Sequence, residues 1–482
     1  MAGRSLIHGQ RQTAAAQWPA FERGTWAVFG LGATGRSVAS LLAAHGARLR
    51  LIDARAEQAE ALRALYPDAE LALGEVTAER FDGCSAAFVS QGVPPDHPAL
   101  AALDAERLAL FGEVELLARL APAAQVAAIT GTNGKSTATA LAGALVQRKL
   151  PEAFVGGNLG TPLSAWLLAG GAERGVGVLE LSSALVDGNV SFAPQVAVVL
   201  NVTPDHLERY GSMEAYAESK ARLVSAVPAA GTAVLNADDA RCRAMAPRCR
   251  GRVWWFGQGA SLPGDGLLMG PRDCLRGVGQ LAERWPETPM AHARLLGRHN
   301  RDNAMAALLA AEALLGPRAA PPEVALGTYQ QFAGLPHRLQ LVGTLAGARW
   351  LNDSKATNDA SAATAVRAVD GPLVLLLGGQ DKGGGYAEVA AALGERPARA
   401  VLTYGAAGAT IGRALAAAGI ACEQHASLAD ACERALGLVA VGDAVLLSPA
   451  CSSFDAFRNY VQRGEWFADW VAARAGRGDP RG

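Results

Sequence analysis

The sequence predicts an α/β protein of three domains, each a largely parallel sheet covered by helices. Three observations predict it. The chain holds 482 residues, more than one ordinary core accommodates. Half of them are hydrophobic, 18% are charged and 55 are glycine, a globular and loop-rich composition. A pattern of apolar strand, glycine-bearing turn and helix also starts three times, near Thr25, near Val126 and beyond Gly334.

The first start is Thr25-Trp26-Ala27-Val28-Phe29, an apolar run leading into Gly30-Leu31-Gly32-Ala33-Thr34-Gly35. A helical pattern follows over Ser37–His45, then a second strand over Leu49–Ile52 that ends at Asp53. Gly30, Gly32 and Gly35 with an acid about 20 residues on fit the fingerprint of a Rossmann-like nucleotide fold. This unit closes near Leu120, where Ala121-Pro122-Ala123-Ala124 has the composition of a linker. The second unit opens with the strand Val126–Ile129, the loop 130–137 and a helix over Ala138–Gln147. Strands are predicted over Gly177–Leu181, Val196–Leu200 and Thr232–Leu235, an irregular insertion over Gly257–Pro271 and a closing helix over Asn303–Leu315. The third unit follows Gly334-Leu335-Pro336, with strands over Trp350–Leu351, Leu373–Leu377, Ala400–Thr403 and Ala444–Leu447 between alanine-rich helices. The expected division is a disordered extension over 1–23, then domains over 24–120, 121–334 and 335–482.

Composition also excludes function classes. A net charge of -1 argues against a broad nucleic-acid footprint. Seven scattered cysteines without a CxxC pair read as reduced thiols rather than a disulfide framework or a cysteine metal site. No signal-peptide core precedes Arg23, and the apolar runs break before the roughly 18 residues needed to cross a bilayer. A soluble cytoplasmic protein is expected.

The strongest chemical signal is Thr130-Gly131-Thr132-Asn133-Gly134-Lys135-Ser136-Thr137. A glycine turn before a helix points backbone N–H groups and the positive helix end at an oxyanion. Lys135 would reach the β- and γ-phosphates, and Ser136 or Thr137 would hold Mg²⁺. The first glycine of the common phosphate-loop pattern is replaced by Ile129. Glu180, ending the apolar strand in Leu179-Glu180-Leu181-Ser182-Ser183, is placed to bind a phosphate-bridging Mg²⁺. His206, in Asn201-Val202-Thr203-Pro204-Asp205-His206, suits either a metal ligand or a structural role. Lys220 lies in a helical stretch from Met213 to Leu223, and its pattern alone suggests a solvated lysine on a helix face. Asn352-Asp353-Ser354-Lys355-Ala356-Thr357-Asn358 packs acid, base and amides into one loop, and Arg338 could clamp a phosphate. The segments 378–382 and 448–455 also fall at strand ends, where open α/β sheets bind ligands.

Together these segments resemble the Mur ligase family. The resemblance runs from about Trp26 to Ala475, thinner over 240–290. It rests on GTNGKST, GGNLG, LELSS, LNVTPDHLERY, LNADD, GRHNRDNA, GLPHR, NDSKATN, GGQDKGG and LLSPACSSFDAFRNYVQRG. GLPHR, NDSKATN and the last of these are closer to the glutamate-adding branch. The resemblance implies three α/β domains: a Rossmann-like UDP-binding domain, a central ATPase-like domain and a Rossmann-like C-terminal domain. It implies an ATP-dependent ligase that activates UDP-N-acetylmuramoyl-L-alanine as an acyl phosphate for attack by D-glutamate. It further implies a cytoplasmic monomer acting in peptidoglycan synthesis.

Roles carried over by the resemblance fall on matching positions. Gly131, Thr132, Asn133, Gly134, Lys135, Ser136 and Thr137 with Asn300, Asn303, Arg338 and Asp353 match ATP-binding positions. Ser136, Thr137 and Glu180 match one Mg²⁺ site, and His206 a second together with Lys220, which the resemblance implies is carbamylated. Ala33, Thr34, Asp53, Arg55, Gly92, Asn158 and His206 match the UDP-substrate site. Lys355, Thr357, Lys382, Ser453, Phe454 and Tyr460 match the glutamate pocket. Three positions depart from the family pattern. Ala184-Leu185 replaces Phe-Gln, Tyr460 replaces a usual Phe, and Leu339-Gln340 replaces the residues usual after His337-Arg338. The first two motivate an alternative in which L-glutamate or another amino acid is added. A nicotinamide oxidoreductase built on the first unit leaves the loop 130–137 unexplained, and an idle binding protein leaves Lys135, Glu180, His206 and Lys220 unexplained.

Overall fold

A computed structural model describes Phe21 and residues 24–94, 96–103, 108–187, 191–205, 207–290, 298–332, 334–381 and 385–475. The chain divides into two compact units, 1–291 with 301–329, and 292–300 with 330–482. The first unit carries two sheets and the second carries one.

The first sheet contains β1 (Thr25–Phe29), β2 (Arg48–Asp53), β3 (Glu70–Leu73), β4 (Cys84–Val89) and β5 (Ala109–Phe111). They lie in the order β3-β2-β1-β4-β5, all parallel, so the strand order reverses beside β1. Strands buried on both faces read as near-continuous apolar runs, and β1 and β4 do so with Trp26, Val28 and Phe88 in one core. Phe21 stacks on Trp26 and His45, with centroids 4.9 and 5.0 Å apart, so ordered packing already includes the end of the predicted extension.

The second sheet contains β6 (Gln125–Thr130), β7 (Phe154–Gly157), β8 (Val176–Glu180), β9 (Val196–Val199), β10 (Thr232–Asn236), β11 (Arg252–Gly257), β12 (Gly266–Met269), β13 (Cys274–Val278) and β14 (Thr288–Pro289). Its order is β14-β13-β12-β11-β10-β9-β6-β8-β7. It is parallel from β7 to β12 and antiparallel beyond, at β13 and β14. The order turns at β6, and ligands of open α/β sheets bind beyond the carboxyl end of such a strand. The segment 257–271, predicted irregular, contributes β12. Its glycines hide the strand, and only glycine fits at Gly266, where a Cβ would lie 1.9 Å from the Trp255 carbonyl. The predicted linker is likewise packed, with Ala121 and Ala124 buried against Val126 and Trp166.

The third sheet contains β15 (Gln340–Leu345), β16 (Ala348–Asn352), β17 (Leu373–Gly378), β18 (Ala400–Tyr404), β19 (Glu423–His425) and β20 (Ala444–Ala450). Its order is β15-β16-β20-β17-β18-β19, parallel except for the hairpin of β15 and β16. Sequence periodicity passes over β15 and β19 because both are edge strands with little buried apolar surface. Trp350 anchors one face, its ring 5.3 Å from that of Trp470 and 5.9 Å from that of Phe467. Several helices begin earlier than their periodicity suggests. The helix Lys135–Gln147 includes the last three residues predicted as loop, and Arg298–Leu315 starts before Asn303.

Candidate functional site

In the first unit the candidate centre forms where β6 turns into the helix Lys135–Gln147. Gly131 and Gly134 take φ of +153° and +84°, values open mainly to glycine. A Cβ on Gly131 would lie 2.9 Å from the Leu200 Cβ, and one on Gly134 would lie 2.1 Å from the Asn303 Oδ1. The turn is stapled to the end of β9. Asn133 N–H donates to the Asn201 Oδ1 at 2.8 Å, Asn201 Nδ2 donates back to the Asn133 carbonyl, and Thr132 N–H donates to the Asn201 carbonyl. The Thr132 hydroxyl donates to the Thr203 carbonyl and accepts from the Thr203 N–H, which fixes the two loops side by side.

Two lysines converge on this turn. Lys135 Nζ donates to the carbonyls of Gly131 and Thr132 at 2.9 and 2.7 Å. Lys220 Nζ donates to the same Gly131 carbonyl at 3.2 Å and lies 4.3 Å from the centre of the Tyr216 ring. A solvated Lys220 is therefore overturned: it is 1% exposed, on the inward face of the helix Met213–Ser225. Burial, followed by the nearby Lys135 charge, pushes the pKa of its ammonium down to about 7.

Glu180 ends β8, is 2% exposed, and accepts a hydrogen bond from Asn158 Nδ2 at 2.7 Å through Oε1. Its Oε2 is buried and has no hydrogen-bond partner among the described residues. A buried carboxylate oxygen left unpaired is costly unless a cation satisfies it. That suits the acid to the Mg²⁺ its sequence position suggests. The turn holding Asn158 is closed on the same strand end, by Asn158 N–H to the Glu180 carbonyl and by Gly157, where a Cβ would sit 2.6 Å from that carbonyl. His206 lies outside the described residues. Among the described residues no cluster of three or more His, Cys, Asp or Glu stands ready for a metal.

Ser136 is buried, and Thr137 occupies the same first helical turn. Asn303 is buried against Gly134, and Asn300 is buried one turn earlier on its helix. In the first sheet, Ala33 and Thr34 open the helix Ala33–Ala44 directly after the glycine turn. A Cβ on Gly35 would lie 1.9 Å from the Gly30 carbonyl, while Gly32 and Gly92 face open space. Asp53 accepts from the Leu31 N–H at 2.7 Å and forms a two-pronged pair with Arg55, at 2.9 Å from Nε and 3.0 Å from Nη2. Burial, which would raise its pKa, is outweighed by Arg55 and these N–H groups, and the carboxyl settles at about 2. Both oxygens thus serve the loop and Arg55, rather than standing clear for a dinucleotide ribose. The two sheets are joined by a hydrogen bond from the Ser182 hydroxyl to the Gln91 Oε1 at 3.0 Å. The buried Glu113 also joins them, by accepting from the Ser164 N–H and hydroxyl.

In the second unit the candidate residues gather at the carboxyl ends of β16 and β20. Asp353 is buried and accepts from the Ser448 hydroxyl at 2.7 Å and the Leu339 N–H at 3.2 Å. Burial dominates, so the pKa of its carboxyl is raised to about 7. His337 and Leu339 flank Arg338 with φ of +63° and +43°, a strained turn that sets Arg338 close enough to act on the Asp353 charge. Lys355 Nζ lies 5.6 Å from the centre of the Tyr460 ring, and Thr357 follows in the half-buried loop. Ser453 is buried, whereas Phe454 is 67% exposed. Lys382 lies outside the described residues.

One residue given no role in sequence binds this end together. Arg463 is fully buried and donates to the Ser354 hydroxyl and carbonyl, to the carbonyls of Cys451 and Ser452 and, at 3.4 Å, to that of Gly378. No carboxylate shares these bonds, so the guanidinium serves as a hub for three strand ends. Only its QRG setting hinted at it.

Models of known families match most of the chain. A MurD-like N-terminal domain of Mur ligases matches residues 24–112, a Mur ligase middle domain 129–311, and a Mur ligase glutamate ligase domain 337–451. The UDP-N-acetylmuramoylalanine–D-glutamate ligase of Anaeromyxobacter dehalogenans is 42% identical over 452 residues, covering 91% of this chain and 96% of the relative. The chain belongs to the Mur ligase family. The enzyme of the same name from Myxococcus xanthus is 40% identical, over 92% of this chain and 97% of the relative. Among solved structures, a UDP-N-acetylmuramate-alanine ligase of Thermotoga maritima superposes with a TM-score of 0.56 at 19% identity, over 95% of this chain and all of the other. MurF of Acinetobacter baumannii gives 0.55 at 16%, over 93% and 90%. These last two share the fold. Within this Mur ligase, Leu185 is buried in the apolar core with Leu181 and Val186, so the substituted turn gains packing where the family pattern has an amide.

Proposed function

We propose that this Mur ligase joins D-glutamate to UDP-N-acetylmuramoyl-L-alanine at the expense of ATP, in the cytoplasmic phase of peptidoglycan synthesis. The observation that carries the reading is the phosphate turn with Lys135, Lys220 and the half-unsatisfied Glu180 gathered at the carboxyl ends of β6 and β8. The names of the relatives supply the substrates. The three sheets would serve as three domains, divided near 120 and 334, for the nucleotide-sugar, ATP and the amino acid.

On this reading the backbone N–H groups of 131–136 hold the ATP phosphates, and Lys135 leaves its two carbonyls to neutralise the β- and γ-phosphates. Asn300, Asn303, Arg338 and Asp353 orient the nucleotide. Mg²⁺, held by Ser136 or Thr137 and Glu180, with a second ion at His206 and Lys220, would neutralise phosphate charge. Lys220 is suited to carbamylation: near pH 7 much of its amine is neutral, so its nitrogen bonds to CO₂ carbon and releases one proton, leaving a carboxylate. Ala33, Thr34, Asp53, Arg55, Gly92 and Asn158 would hold the nucleotide-sugar. The substrate carboxylate attacks the γ-phosphorus and ADP leaves. The amine of glutamate, held by Lys355, Thr357, Lys382, Ser453 and Tyr460, then attacks the acyl carbon, and phosphate and a proton leave as the amide forms. The altered positions Ala184-Leu185 and Tyr460 motivate the alternative, L-glutamate or another amino acid as the nucleophile.

Phosphate release measured with each substrate omitted in turn tests the chemistry. Release should require UDP-N-acetylmuramoyl-L-alanine, an amino acid, ATP and Mg²⁺ together, and should fall at least ~100-fold in Lys135→Ala. Unchanged turnover in that variant contradicts it.

A further inference from the structure

The turn after β4 is wedged between two parts of the proposed substrate path. Ser90 N–H donates to the Phe29 carbonyl and Val93 N–H to the Ser90 carbonyl, which fixes the turn. A Cβ on Gly30 would meet both the Ser90 Cβ and the Val93 Cγ2 at 2.9 Å, so the turn lies directly on the glycine loop of the first sheet. Its tip, Gln91, reaches the second sheet, where the Ser182 hydroxyl donates to its Oε1 at 3.0 Å, two residues past Glu180. The turn therefore bridges the nucleotide fingerprint, through Ser90 and Val93, and the strand end that carries Glu180, through the Gln91 side chain. Its carboxamide oxygen is engaged, its Nε2 has no hydrogen-bond partner among the described residues, and the residue is exposed. The strand-end turn it touches offers only the hydroxyls of Ser182 and Ser183 and the apolar Ala184 and Leu185.

We infer that Gln91 is a substrate-binding residue: its Nε2–H₂, aimed by Ser182, donates to a carbonyl oxygen of the muramoyl-alanine part of the nucleotide-sugar. The inference rests on the function proposed above. A carboxamide held at its oxygen by one hydroxyl presents its two N–H groups in a fixed plane, the arrangement that selects an acceptor. The ligand part lying between the diphosphate loop and the phosphorylated carboxylate is the sugar with its lactyl and alanyl carbonyls, all acceptors. Gln91 thus discriminates this substrate from UDP-sugars that lack those carbonyls.

Steady-state kinetics of wild type, Gln91→Glu and Gln91→Leu, with melting curves, tests the inference. Gln91→Glu keeps an acceptor for Ser182 and removes the donor. Both variants should raise KM for UDP-N-acetylmuramoyl-L-alanine about ten-fold, the effect of one lost hydrogen bond with a buried acceptor left unpaired. The KM values for ATP and glutamate and the melting temperature should stay as in wild type. An unchanged KM for the nucleotide-sugar, or a lowered melting temperature with all three constants moving together, overturns the inference and leaves Gln91 a strut between sheets. A wild type that turns over while the variants match it sinks this inference alone, whereas a wild type without turnover on this substrate sinks the function as well.

Discussion

An ammonium buried out of water and close to a second cationic charge gives up its proton more readily than one in solution. Lys220 is in that position, beside Lys135, and its pKa, lowered to about 7, would tie the proposed carbamylation to pH and CO₂. With ¹³C-labelled bicarbonate, a carbamate carbon resonance should appear in the wild type and be missing from Lys220→Ala, which should also lose at least ~100-fold in turnover. At low bicarbonate, activity should fall as pH drops below about 7, where the amine is protonated, and added bicarbonate should move that limb to lower pH. A limb insensitive to bicarbonate contradicts the carbamate. Asp353 shows the opposite case, an acid raised to about 7 by burial. A raised acid contributes stability that is complete below its unfolded value of 3.8 and lost as pH rises through about 7. Asp353→Asn removes this titration. In denaturant melts the wild type should therefore lose up to about 4 kcal/mol relative to that variant between about pH 4 and 8, since each tenfold change in proton affinity carries roughly 1.4 kcal/mol. Parallel pH profiles for the two proteins would refute it. Lys220 also marks where sequence reasoning reached its limit. The helical pattern of 213–223 identifies a helix, but the buried lysine is fixed by what packs on it, Tyr216 and the carbonyl of Gly131, 89 residues away.

Between β6 and its helix, the phosphate turn depends on two glycines with different duties. Gly131 makes room for Leu200, while Gly134 combines a left-handed backbone with contact to Asn303. Gly134→Ala would both strain the turn and push Asn303 aside, so KM for ATP should rise at least ~ten-fold and the melting temperature should fall by several degrees. Calorimetric ATP binding equal to wild type would count against that picture. The missing first glycine at Ile129 is explained at this scale: the residue is buried within β6, paired to β8 and β9, and has no part in the turn. Central strands such as β1, β6 and β17 were legible because both faces are buried and the sequence is apolar throughout. β12 to β15 were not, since β12, β13 and β14 are only 4, 5 and 2 residues long, too short for a period to show, and β15 is an edge strand without a fully buried residue. Arg463 escaped for a related reason: a helix-borne arginine gives no sign in sequence that its partners are five backbone and hydroxyl groups on three distant segments.

Across the whole molecule, the three repeats of strand, turn and helix were visible in sequence, and each candidate residue that the structure describes lies at a strand end or in the loop or helix next to one. What joins the first two sheets was not visible. Glu113 and Glu115 stand on one short helix and hold Ser164 and Ser191, bonds of 51 and 76 residues' separation that a local pattern cannot reveal. Nor could sequence separate a glutamate pocket from its imitators, because Phe454 stands in solvent and Tyr460 departs from the family pattern. The measurement that bears most directly on the central claim is a single reaction of the purified protein with ATP, Mg²⁺, UDP-N-acetylmuramoyl-L-alanine and a panel of amino acids, with product mass and stereochemistry determined. One new amide carrying D-glutamate, formed with one ADP and one phosphate per product, is the predicted result. An L-glutamate or other amino-acid product would contradict the assigned nucleophile, and ADP without any amide would contradict the ligase itself.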